Sequence, residues 1–150
     1  MYYSDMSKYV YYLKRPLESV LNVGWLDAKY DFNKGIVSNK FLKNLEAIIS
    51  SEGAFDAHFH QIRGAHPCCI CGEEGVWEVG PNNIVLGSSE LWIPDVKQGR
   101  YFAVPSLIHH YIKDHAYLPP KKFIKAVVAI NIELNFNAYD KYLKLTSYQL

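Results

Sequence analysis

The spacing of apolar residues changes along the chain, and those changes mark out its elements. Residues 21–28, LNVGWLDA, form a short apolar and aromatic run, with turn chemistry at Asp27, Asn33, Lys34 and Gly35. This predicts a strand and then a loop. Ser38 stands as an N-cap before NKFLKNLEAIIS, where Phe41, Leu42, Leu45, Ile48 and Ile49 recur at helical spacing, so a helix is expected to end near Gly53. From Val76 the period shortens. VWEVG, NIVLGSSELWIP and RYFAVP are β-rich runs separated by Gly, Pro, Asn and Asp, the pattern of hairpins or an antiparallel meander. Pro105 suits a first helical turn, and SLIHHYIKDH continues it with Leu107, Ile108, Tyr111 and Ile112 as the apolar side. Pro119 and Pro120 end that segment and open another helix, KKFIKAVVAINIELN, striped by Phe123, Ile124, Val127 and Val128.

The ends of the chain carry weaker patterns. The stretch to Pro16 is rich in tyrosine, with a turn at Ser4 and Asp5, and is expected to wrap the body of the protein. The tail FNAYDKYLKLTSYQL is aromatic and weakly helical. Together these elements predict an α+β fold with a small antiparallel sheet and about three helices. Residues 1–130 are expected to form one domain, and residues 131–150 a C-terminal extension packed on it.

Composition narrows the function classes. The chain has 150 residues, 49% of them hydrophobic and 21% charged, which suits one packed domain. Its net charge of +1 supplies no global field for nucleic acid or an anionic membrane. No apolar run approaches the roughly 18 residues of a membrane span, and the start MYYSDMSKYVYYLKRP lacks the basic and then apolar segments of a signal peptide. The expectation is a cytoplasmic protein that uses neither membrane nor nucleic acid.

The chemistry is concentrated in RGAHPCCICGEEG, residues 63–75, which hold all three cysteines. Neighbouring Cys68 and Cys69 could pair only in a strained ring and would leave an odd thiol, so metal binding or plain burial is favoured over a disulfide. Cys68 and Cys71 have the spacing at which two thiolates reach one ion from a tight turn, and Gly72 permits the backbone shape of such a knuckle. The other half of the site is read in HHYIKDH, where His110 and His115 complete a zinc tetrahedron. On a regular helix these two lie about 140° apart, so they are expected to converge only if the last turn loosens. His66 and His109 are alternative ligands or supports for the ligands. A thioredoxin-like role would need a strand before the CxxC and a helix after it, whereas EEGVWEV reads as loop and then strand.

Other candidates are less specific. Arg63 and Glu90, with His66, could form an acid-base cluster, although a salt bridge or hydrogen-bonded turn is the simpler account. His58 and His60 read as packed or surface residues before they read as ligands. Ser88 and Ser89 have no evident base in the sequence, and Trp25, Trp77 and Trp92 read as core anchors.

The segments LNVGWLD, RGAHPCCIC, LGSSELWIP and YFAVPSLIHHYIKDHAYLPPKKFIKAV, with the start SDMSKY, resemble a family of short, uncharacterised bacterial proteins. In that family RGxHxCxxC, LGxxE and HYxxxHxYxPP occur in this order. The likeness covers about residues 4–128, with the Cys68–Cys69 doublet as a local departure, and implies that His66, Cys68, Cys71, His110 and His115 belong to one site. Four protein ligands leave no open position on the ion, which makes it structural. The expected function is a small zinc-binding interaction protein with a protein partner, of the immunity or antitoxin type that blocks a toxin. The alternative is a zinc-dependent hydrolase or nuclease with one open metal position and Glu90 or His66 as general base.

Overall fold

The computed structural model describes residues 2–11, 13–59, 66–72, 78–80 and 83–147. Five strands form one sheet in the order β1 (Lys8–Tyr9), β2 (Leu17–Asn22), β8 (Tyr101–Pro105), β7 (Glu90–Pro94), β4 (His58–Phe59). Two smaller pairs join β3 (Phe55–Asp56) with β9 (Phe136–Asn137), and β5 (Glu78–Val79) with β6 (Ile84–Val85). Four helices complete the described residues: α1 (Asn39–Ser50), α2 (Ile108–His115), α3 (Lys121–Ala129) and α4 (Ala138–Thr146).

The fold is α+β, but the main sheet is mixed rather than antiparallel. β7 and β8 form the expected antiparallel hairpin, with Trp92 opposite Ala103, whereas β2 runs parallel to β8, with Leu21 opposite Phe102. A parallel neighbour needs a long crossover instead of a tight turn, and here the crossover carries α1, β3 to β7 and their loops. The predicted strand over 21–28 is shifted. The extended segment starts at Leu17 and ends at Asn22, because Gly24 turns to φ +79° and Trp25 gives its indole N–H to the Ala103 carbonyl at 2.9 Å. The tyrosine-rich start forms the edge strand β1, and its turn is closed by the Ser7 amide on the Ser4 carbonyl.

Strand alternation divides the interior in two. Leu91, Ile93, Phe102 and Val104 face α1, α2 and α3 and pack with Phe41, Leu45, Ile108 and Phe123. The intervening Trp92 and Ala103 face the other way, onto Tyr9, Leu17, Val20, Phe59 and Ala138, with Tyr142 and Leu145 of α4 packed against them. Trp92 is fully buried and meets Tyr9 and Phe59 edge-on, at centroid distances of 5.4 and 5.1 Å.

The helix ends explain how the site is placed. α1 begins where its cap predicts, the Ser38 hydroxyl oxygen accepting from the Phe41 amide at 3.2 Å. Pro105 closes β8 opposite Glu90 rather than opening α2, which starts at Ile108. α2 stays helical through His115 and stops at left-handed Ala116 (φ 56°), where the Tyr117 amide returns to the Tyr111 carbonyl. The chain beyond is pinned: the Tyr117 hydroxyl donates to Asp5 at 2.8 Å, and the Gly35 amide donates to the Ala116 carbonyl.

Candidate metal centre

Cys68, Cys71, His110 and His115 converge. One donor atom from each lies within 4.8 Å of the other three, an arrangement that could hold a metal ion. Cys68 Sγ is 3.5 Å from His115 Nε2, and Cys71 Sγ is 3.6 Å from His110 Nε2. The two imidazoles stand nearly perpendicular, with centroids 5.0 Å apart. This convergence does not need a loosened final turn, since α2 remains helical up to His115.

The two cysteines come from a turn built for thiolates. Gly72 sits at φ +65°, and its amide donates to the Cys68 carbonyl at 3.1 Å. The Ile70 and Cys71 amides hydrogen bond to the Cys68 sulfur. Burial pushes the Cys68 thiol up from its ordinary value, and those two amides, which favour the thiolate, act against it. A divalent cation among the four donors would reverse that upward shift and favour the thiolate. Cys68 is buried and Cys71 is exposed, so the site lies at the edge of the core.

The histidines are held from behind. His110 Nδ1 lies 2.7 Å from Asp114 Oδ2, one helical turn along α2. A carboxylate there accepts a hydrogen bond from Nδ1–H, which leaves the Nε2 lone pair facing Cys71. Sequence reading missed Asp114, although its i, i+4 spacing from His110 was a usable signal.

The remaining candidates lie elsewhere. Adjacent His109 turns toward α1, where Nε2 meets Glu46 Oε1 at 2.8 Å. His66 is exposed, with its amide donating to the Gly87 carbonyl, and lines a cavity with Glu90. Glu90 is buried at the start of β7 and accepts the Tyr9 hydroxyl at 3.0 Å. Burial, and then the Glu90 charge, push the Tyr9 hydroxyl far above its ordinary value. Arg63, His60 and Trp77 fall outside the described residues. Cys69 is exposed and lines the same cavity as His66 and Glu90.

His58 is engaged at both ring nitrogens. Nε2 lies 2.7 Å from the Ile49 carbonyl and must carry the proton, so Nδ1, 2.6 Å from Ser89 Oγ, accepts from that hydroxyl. Burial lowers the affinity of this ring for a second proton, with the Ile49 carbonyl and Asp56 opposing. His58 therefore joins the end of α1 to the approach to β7.

Residues 1–128 match the model of a family described as a domain of unknown function, DUF7919. No curated protein and no solved structure gives a significant match. With the match spanning all but the last stretch of the chain, the protein belongs to the DUF7919 family.

Proposed function

We propose that Cys68, Cys71, His110 and His115 bind one Zn²⁺ ion in a closed, structural site. The spacing of unlike donors carries the reading. Zinc at about 2.3 Å from sulfur and about 2.05 Å from nitrogen, in a tetrahedron, sets the two donor types about 3.6 Å apart. Two of the four sulfur-nitrogen separations, Cys68 to His115 and Cys71 to His110, are 3.5 and 3.6 Å, and all four donor atoms lie within 4.8 Å of one another. Amides on the Cys68 sulfur and a carboxylate behind His110 are the supports such an ion calls for.

Four protein donors leave no position for substrate or for an activated water, which argues against a hydrolase or nuclease working through this ion. The candidate bases His66 and Glu90 face a cavity rather than the donor cluster. On this reading the ion ties the cysteine turn to α2 and acts through folding.

The function then lies in binding: a small bacterial cytoplasmic protein that engages a protein partner, with an immunity or antitoxin role as its specific form. Exposed Tyr139 and Leu143, one turn apart on α4, support a protein contact. Metal analysis of the purified protein with Cys68→Ser, Cys71→Ser, His110→Ala and His115→Ala tests the ion. Zinc retained in full by all four variants would sink that reading. Protection from growth arrest by a toxin encoded beside the gene, lost with Tyr139→Glu and Leu143→Glu together, tests the partner; unchanged protection by the double variant would remove α4 from the contact.

A further inference from the structure

The two cysteines of the cluster share one turn but differ in their access to solvent. Cys68 is 1% exposed, whereas Cys71 lies open at the surface. The Gly72 amide, donating to the Cys68 carbonyl at 3.1 Å, closes a single turn of helical type around residues 69–71. Helical geometry sets Cα atoms three residues apart at about 5 Å, inside the roughly 4.4–6.8 Å that disulfides span. The two sulfurs already lie within 4.8 Å of each other. Bringing them to a bond of about 2.05 Å therefore asks for side-chain rotation and not for a new backbone path.

The third thiol does not compete for this bond. Cys69 is exposed, but a bridge to Cys68 needs the strained ring of adjacent cysteines. Residues two apart on such a turn do not face each other, which disfavours a bridge from Cys69 to Cys71. Cys69 also stands outside the donor cluster and lines the neighbouring cavity.

Oxidation of a cysteine by a peroxide needs a thiolate that solvent reaches, and its reversal needs a second thiolate near enough to intercept the product. Cys71 meets the first condition and Cys68 the second. We propose that Cys71 is a hydroperoxide-reactive site and that Cys68 is its resolving partner, the two closing a reversible disulfide. The Cys71 thiolate attacks one oxygen of the peroxide, so that an S–O bond forms, the O–O bond breaks and hydroxide leaves. The Cys68 thiolate then attacks the Cys71 sulfur: the S–S bond forms, the S–O bond breaks and a second hydroxide leaves. With hydrogen peroxide, two thiolates and two protons give one disulfide and two waters, and two electrons pass from sulfur to oxygen. The bond removes both sulfur donors from the cluster and leaves His110 and His115 alone. Release of an ion at this step rests on the zinc reading; the sulfur chemistry does not.

The test treats full-length protein with hydrogen peroxide until free cysteine in a parallel tube is fully oxidised. Remaining thiols are then alkylated and the cysteine peptide is sequenced by mass spectrometry, while a chromophoric chelator reads released zinc. The expected peptide has lost two hydrogens and carries its alkyl group on Cys69 alone, with one zinc released per disulfide; dithiothreitol and added zinc should restore the starting state. Cys69→Ser should oxidise at the wild-type rate. Cys71→Ser should slow oxidation of Cys68 at least about tenfold, since Cys68 is then left without an exposed partner. The wild-type peptide map stands as a test even if Cys71→Ser does not fold. Alkylation of Cys68 or Cys71 after the peroxide treatment, a disulfide that includes Cys69, or a rate that falls with Cys69→Ser would overturn the proposal. A protein without zinc that forms the Cys68–Cys71 disulfide keeps the thiol pair and loses the metal; a zinc protein whose two cluster thiols survive peroxide keeps the metal and loses the oxidation site.

Discussion

Replacing Cys68 by serine removes the most buried donor of the cluster and the sulfur on which two amides converge. The consequence for stability follows from linkage. An ion that binds the folded chain and not the unfolded one stabilises by RT ln(1 + [Zn²⁺]/Kd), about 2.7 kcal/mol at a free zinc concentration of 100 Kd. For a domain of this size, 1 kcal/mol moves Tm by roughly 2–4 °C, so adding zinc to the apo protein should raise Tm by about 5–11 °C. Zinc binding to the unfolded thiols would lower that figure.

The assay is differential scanning fluorimetry of apo protein, prepared by chelation under reducing conditions, titrated with zinc buffered by a chelator of known affinity. Wild-type Tm should climb with the logarithm of free zinc once Kd is passed. Cys68→Ser should flatten that response to within about 1 °C, because an exchange of thiolate for hydroxyl leaves three donors. Cys69→Ser is the internal control, since Cys69 lies beside Cys68 and two residues before Cys71 yet outside the cluster, and it should keep the full response. A wild-type Tm indifferent to zinc, or equal loss of response in Cys68→Ser and Cys69→Ser, would refute the assignment.

Other perturbations probe separate links of the argument. Asp114→Asn should weaken zinc binding roughly 10- to 100-fold in a chelator competition, with an unchanged circular dichroism spectrum, because the carboxylate supports His110 without touching the ion. His58 has its proton affinity lowered on folding, so its contribution is complete above the unfolded pKa of about 6.5 and is lost as pH falls toward the folded value. Unfolding free energies from urea titrations between pH 7.5 and 5.5 should therefore fall by at most about 1.4 kcal/mol per pH unit on account of this group, and His58→Gln should show a shallower slope; parallel slopes would discard this role. Gly24→Ala should cost at least about 1–2 kcal/mol, since the residue sits at φ +79° and a Cβ would come within 2.9 Å of Ile108 Cδ1; an unchanged urea midpoint would contradict that geometry.

What could be read from the sequence followed the range of each signal. α1 was legible because a cap and a helical period lie within one continuous stretch, and the β7–β8 hairpin because its strands are joined by a short turn. The parallel pairing of β2 with β8 was not, since a period of two states that a strand exists and not which strand lies beside it. The shift of β2 has a local cause. Trp25 has strand-like chemistry, but the positive φ of Gly24 ended the extended run before it.

The metal cluster was legible for a different reason: thiolate and imidazole are scarce, and CxxC followed by glycine constrains its own backbone before any partner is known. Choosing among the neighbouring histidines required direction. Successive residues on a helix differ by about 100°, so His109 and His110 cannot serve the same neighbour. His109 reaches Glu46 on α1, whereas His110 faces the cysteine turn. The cavity was invisible at that level. Its walls come from Trp25, Pro67, Glu90 and Leu107, separate stretches that have no shared spacing, and only the fold puts them around one volume. Those stretches are nonetheless the ones that carried the family resemblance, and the metal donors account for only some of them. His66 and Glu90 stand on the cavity rather than in the Cys/His cluster.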